Sequence, residues 1–309
     1  MTEETAEAAG EQPATVRSQE FTVDGPIELD ISTGSGRVEV VLTEEDAARV
    51  DVRHVPGPEG SWADGISSIL NWVGEQFPQV ADTVQAGRAD PAAAVRETRI
   101  DMTGGRLLVR APAKSMPLRG IPLAITVHAP RGSDLTVRSG DADVTISGTA
   151  GKVDTASGSG NLTAGDTESA TSVRTGAGYV RLGTCAEHLR IRTGSGDVDT
   201  GACEGPATIT SGSGDVRLGS VSAPTRVRTG NGDVTVTDAM HDYLEIGTGS
   251  GEIQVAIRSG VEAEVDLAST GGTVRSDLEV AEQPANERPT LRVRARSGSG
   301  NVLITSAGS

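Results

Sequence analysis

From Asp134 to Ile257 apolar and polar positions alternate in short runs that glycines interrupt at a fixed interval. One set of apolar-side pairs reads Val144/Ile146, Leu162/Ala164, Val180/Leu182, Val198/Thr200, Val216/Leu218 and Val234/Val236. Nine residues after the first member of each comes a second pair: Val153/Thr155, Thr171/Val173, Leu189/Ile191, Ala207/Ile209 and Thr225/Val227. Alternation of period two is a strand signal, so each unit predicts two short strands. A Ser/Thr-Gly phrase punctuates the units at Ser139, Ser157, Thr175, Thr193, Ser211 and Thr229, each 18 residues after the last. The glycines suit corners whose backbone a Cβ would hinder. A fixed period of this kind marks stacked coils, because one coil can bury its apolar side chains only against its neighbours. The expected fold is therefore all-β: a parallel β-solenoid with 18-residue coils and two principal strands per coil, plus a short helical insertion near the N-terminus. Strands in such ladders lie about 4.8 Å apart, so roughly nine or ten coils would make a rod on the order of 45 Å long.

The period loosens downstream. Thr248-Gly249-Ser250-Gly251 arrives one residue late, Thr270-Gly271-Gly272 later still, and Ser297-Gly298-Ser299-Gly300 follows a loop through Gln283-Pro284-Ala285-Asn286. Taken in sequence order, the last of these predicts an open C-terminal edge unless an earlier segment folds over it. Upstream, Leu29 to Val40 carries the same cassette, and Ile100 to Val109 a degraded one. The expected organisation is a disordered acidic tail over 1–18, N-terminal solenoid strands over 19–55, a helical insertion over 56–98 and the solenoid proper over 99–309. The insertion holds Trp62 and Trp72, its Ile66, Ile69, Leu70, Val73 and Phe77 fall at helical spacing, and a further helical stretch starts at Pro91, a favoured first-turn position. Such an element either caps the exposed end of the coils or docks a partner, with Trp62, Ile66, Leu70, Trp72 and Phe77 as the candidate contact face.

Charge changes the picture more than composition does. The net charge is −16, which argues against nucleic acid as a partner. The register nevertheless segregates the signs. Next to the glycine corners stand Asp143, Asn161, Tyr179, Asp197, Asp215, Asp233 and Glu252, an acidic row; the other strand carries Arg138, Arg174, Arg190, Arg192, Arg226 and Arg228, a basic stripe broken by Asp154, Thr208, Thr210 and Glu245. Solvated rows that keep the rod soluble are the simpler reading, and a binding surface for a charged peptide or polymer the sharper one. Calcium fits badly. In the nonapeptide calcium solenoids one residue separates the last Gly from the Asp, whereas here Asp215 follows Gly214 directly, and one carboxylate per coil supplies too few of the six to eight oxygen ligands required.

Cys185 and Cys203 stand one period apart, so they are expected at the same corner of adjacent coils, close enough for contact and reduced in a cytoplasmic protein. No Cys-x-x-Cys pair or zinc-ligand spacing accompanies them. Catalytic motifs are lacking as well. No serine sits in a G-x-S-x-G elbow, no Gly-Lys-Ser/Thr follows the glycine turns, and His54, His128, His188 and His241 have no supporting triad motif. We expect no cofactor, no metal and no enzymatic activity.

Ile125-Thr126-Val127-His128-Ala129-Pro130-Arg131-Gly132-Ser133-Asp134-Leu135-Thr136-Val137, followed by serial Gly-x-Gly-Asp-Val corners, resembles a bacterial β-strand-repeat "putative adhesin" family of unknown function. These proteins are related to toast-rack-like β-solenoids of envelope-stress modules. The resemblance carries over no catalytic residues; the repetition of equivalent corners points to a scaffold, assembly or protein-interaction role, and the open C-terminal edge to self-association through solenoid ends. Members often have membrane segments. Here no stretch reaches the ~20 apolar residues of a span, and the start, Met1-Thr2-Glu3-Glu4, is acidic where a signal peptide is basic and then apolar, so the expectation is a cytoplasmic protein.

Overall fold

The computed structural model describes residues 16–55, 91–112, 121–278 and 289–307. Its repeat begins in β2 (Glu28–Thr43) and β7 (Asp134–Ser147), each running through one whole glycine corner. From there the long strands β8 (Val153–Ser157), β10 (Thr171–Ala177), β12 (Leu189–Ser195), β14 (Ala207–Ser213), β16 (Thr225–Asn231) and β18 (Asp242–Ser250) form one parallel ladder. The short strands β9 (Leu162–Ala164), β11 (Val180–Leu182), β13 (Val198–Thr200), β15 (Val216–Val221), β17 (Val234–Ala239) and β19 (Ile253–Ile257) form a second. Val144, Val180, Val198, Val216 and Val234 occupy one buried row, with Leu162 between the first two. A third side was not foreseen: single bridges link Ala150, Thr167, Cys185, Cys203 and Val221 one above another, so each coil closes around its core on three sides.

The corner chemistry explains the repeated phrase. Thr175, Ser211 and Thr229 each donate a side-chain hydrogen bond to the carbonyl two residues on, which pins the turn from within, and the Ser213 and Asn231 carbonyls also accept the amide N–H groups of Gly196 and Gly214 from the neighbouring coil. The second glycine turns the chain: Gly196 has φ +132°, and a Cβ there would overlap the Gly178 carbonyl of the coil below. Stacking distance and corner conformation therefore both demand glycine.

The C-terminal coils stack out of sequence order. β20 (Ala263–Ser269) and β21 (Val274–Ser276) are followed in the chain by β22 (Leu291–Ser299) and β23 (Val302–Ser306). In space β22 lies between β18 and β20, and β23 between β19 and β21. An earlier segment thus does fold over the last one, and the C-terminal coil is internal. The reason lies in the inward positions. Leu291, Val293, Ala295, Val302 and Ile304 are at most 1 % exposed, a set that packs on both sides, whereas β21 offers only Val274 and Ser276.

The opposite end departs from parallel stacking. β4 (Arg99–Thr103) and β5 (Arg106–Arg110) form an antiparallel hairpin through Gly104 and Gly105, both at positive φ, so the stretch read as a degraded coil is a two-residue turn between strands. β5 pairs with the first half of β2, and β6 (Leu123–Pro130) with the second half. β3 (Ala47–His54) and then β1 (Val16–Thr22) add to β6 antiparallel. β1 starts within the stretch expected to be a disordered tail. α1 (Pro91–Glu97) packs on β1 and β3, buries Ala94 and Val95 completely, and ends at Thr98, whose hydroxyl bonds the Ala94 carbonyl. Trp62, Ile66, Leu70, Trp72 and Phe77 lie outside the described residues.

Candidate interaction surfaces

The acidic row has a backbone function. Asp143 accepts the amide N–H of Asn161, Asn161 that of Tyr179, Asp197 that of Asp215, Asp215 that of Asp233 and Asp233 that of Glu252, at 2.6–3.1 Å. Asn301 continues the series to Thr273. Each side-chain oxygen therefore ties a corner to the next coil, and Asn serves as well as Asp. Tyr179 has no oxygen for this role, interrupts the ladder and stays 46 % exposed. Among the described residues no three His, Cys, Asp or Glu side chains converge as metal ligands.

The arginines divide into two groups. Arg138, Ala156, Arg174, Arg192, Thr210 and Arg228 follow one another in one outward row, and Arg190 and Arg226 stand in the next. Arg226 and Arg228 both hold Glu245, at 2.7 and 3.4 Å. Burial acts to raise the Glu245 carboxyl, but the hydrogen bonds and charges of Arg226 and Arg228 outweigh it and hold it below the ordinary glutamate value. Beyond them Arg292 meets Glu264, while Arg294 and Arg296 meet Asp266. The other group is poorer in acid. Arg138 shares Asp30, at 3.7 Å, with Arg106, which holds that buried carboxylate at 2.7 Å. Arg174 lies 3.9 Å from Asp154. Arg190 and Arg192 have no ion-pair partner among the described residues. Asp30 was not among the sequence candidates, since nothing in Leu29-Asp30-Ile31 signals a carboxylate clamped by arginines from two other strands.

Cys185 and Cys203 occupy neighbouring bridge positions, both 1 % exposed, with free thiols. Burial pushes the Cys185 thiol up to about 11 and raises that of Cys203. Both therefore stay protonated near neutrality, where a thiol is a weak nucleophile. His188 is exposed on the long-strand side. No described helix is long and apolar enough to cross a membrane.

The two ends differ in exposure. At the far end the apolar Ala263, Val265 and Leu267 of β20 are only partly buried, and Val274 is 46 % exposed. β20 and β21 each pair on one side alone among the described residues.

Similar solved structures include a "putative adhesin" from Bacteroides fragilis, 14% identical, covering 96% of this chain and 100% of its own, with a TM-score of 0.42. A "putative cell adhesion protein" from Clostridium sporogenes is 10% identical over 95% of this chain and 99% of its own, with a TM-score of 0.21. A "putative lipid binding protein" from Parabacteroides distasonis is 12% identical over 93% and 96%, with a TM-score of 0.43. No curated protein matches. Neighbours named as an adhesin and a cell adhesion protein stand against the cytoplasmic placement expected from the sequence, and that placement is not retained. The cassette and the toast-rack resemblance agree with a match over residues 93–308, and the chain belongs to the Toastrack DUF4097 family.

Proposed function

We propose that this protein is a non-enzymatic interaction module that uses the uncovered end of its solenoid, the β20–β21 coil, to dock a second protein, and that a second copy of the chain is the partner. One observation carries the reading. Val274 is 46 % exposed, while its neighbour in the ladder, Val302, is 1 % exposed, so the interior row emerges at this end. Exposed apolar surface beside a free parallel edge favours strand-on-strand association. Charge permits it: Glu264 and Asp266 are already matched by Arg292, Arg294 and Arg296, so this end escapes the repulsion that a net charge of −16 would otherwise impose between copies.

Sedimentation velocity across micromolar concentrations tests this. The wild type should self-associate equally at low and high salt, because apolar end contacts survive screening. Val274→Lys, a substitution at an exposed position, should give a monomer. A wild-type chain that is monomeric throughout, or an oligomer that Val274→Lys leaves intact, would remove the support for end-to-end contact.

A further inference from the structure

The arginine row borders an open groove of about 620 Å³ on the outer face of the long-strand ladder, away from the end discussed above. Its lining includes Arg138, Ala156, Arg174, Gly176, Arg192 and Gly194. The groove is a consequence of the repeat. Ala156 stands between Arg138 and Arg174 in the row and leaves a gap where a long side chain would fit. The glycine row beside it has no side chains at all: a Cβ on Gly194 would meet the Gly176 carbonyl at 2.6 Å, so the stacking that builds the solenoid also keeps this strip bare. The groove therefore has a backbone floor and guanidinium groups along its edge.

Charge sets the groove apart from the rest of this acidic molecule. Its arginines face one shared buried carboxylate, Asp30, and one at the limit of ion pairing, Asp154, and Arg192 is unpaired among the described residues. The next arginines along the face are neutralised by Glu245. Exposed guanidinium groups with unused donors suit planar carboxylates, which they hold by two parallel hydrogen bonds.

The geometry selects among polyanions. The groove runs along the stack, across the strands, whose N–H and C=O groups are engaged in the ladder, so a peptide gains no strand addition there. An extended peptide also repeats its side chains on one face every ~6.8 Å, out of step with ladder spacings of about 4.8 Å. Single-stranded nucleic acid is held on aromatic platforms, and the lining has none. A flat anionic membrane would meet the acidic row of Asp197, Asp215 and Asp233 beyond the corner. Arg138 and Arg174 are two ladder steps apart, about 10 Å. A polysaccharide with one uronic acid per disaccharide presents carboxylates at a comparable interval, and its rings can lie flat on a floor without side chains.

We propose that this groove binds a linear uronate-bearing polysaccharide, with Arg138 holding one carboxylate, Arg174 and Arg192, direct neighbours in the ladder, together holding the next, and the glycine strip carrying its rings.

Calorimetric titration of the full chain with hyaluronan oligosaccharides tests the proposal, with dextran, oligodeoxythymidylate and phosphatidylglycerol vesicles as comparisons. Binding of the hyaluronan oligosaccharides should be measurable at low ionic strength, weaken with salt and exceed that of the other three. The triple variant Arg138→Ser/Arg174→Ser/Arg192→Ser should lose roughly tenfold or more in affinity with its circular dichroism unchanged. The pair Arg226→Ser/Arg228→Ser should stay within about twofold of wild type, since Glu245 already occupies those arginines. The proposal is overturned by absent hyaluronan binding, by tighter binding of the oligonucleotide or vesicles, by equal binding of dextran, or by an equal loss in the Arg226/Arg228 pair. Should the triple variant misfold, Ala156→Gln, which fills the gap without altering charge, must weaken binding in its place; unchanged affinity in that variant is equally fatal.

Discussion

The two ends of this stack solve the same problem in opposite ways. Every coil buries its neighbour's face, so a repeat can continue but cannot stop by its own rules. At the N-terminal end the chain changes its rules: strands turn antiparallel, and α1 brings Ala94 and Val95 to 0 % exposure over the interior. At the other end it keeps them, and β20 and β21 leave their apolar positions half covered. Closing a solenoid thus depends on residues outside the repeat, and the repeated cassette alone yields an end that is still competent to pair.

The largest test of that contrast is a charge placed in each end. Val95→Asp should cost about 4 kcal/mol, a carboxylate forced into a closed interior, whereas Val274→Asp should cost less than about 1 kcal/mol. Urea denaturation midpoints read both, and equal losses would erase the distinction between a sealed and an open end. A second comparison uses backbone clearance. Gly196→Ala combines positive φ with overlap on the Gly178 carbonyl and should destabilise by about 3 kcal/mol. Gly271→Ala in the outermost coil meets only an ordinary contact, 3.4 Å from the Gly298 oxygen, and should fall below about 1 kcal/mol by the same assay. The smallest effect concerns the side-chain ladder. Asp215→Ala removes one acceptor for the Asp233 amide and should cost about 1 kcal/mol, while Asp215→Asn should be nearly silent. If Asn fails to rescue, charge rather than hydrogen bonding holds that corner.

The 18-residue period was fully legible because the core is a stack of equal layers: Val198 and Val216 need the same neighbours, so the same residue type returns at the same interval. Layer order beyond Ile257 was not legible. Both 263–276 and 291–306 carry a corner cassette, and which lies inside depends on how well Val302/Ile304 pack on two faces compared with Val274/Ser276, a packing competition that periodicity does not record. The Gly104-Gly105 turn could have been recognised as a hairpin signal. For the charged rows, Asn161 standing among aspartates was the available hint that oxygen, not charge, is what the corner uses. The split within the arginines was half legible: the repeat register already sets Asp154 and Glu245 as breaks in the stripe, whereas Asp30 neutralises arginines from two other strands that only the three-dimensional register brings to it.

The exchanged order of the last two coils also sets a timetable. β20 and β21 have no described strand to lie on except β22 and β23, which the ribosome delivers afterwards. A nascent chain can add its coils one by one as far as β19, but residues 263–276 meet their native partners only once residues 291–306 have been made. The coil that ends the stack among the described residues is, on this connectivity, the last to gain its native pairing.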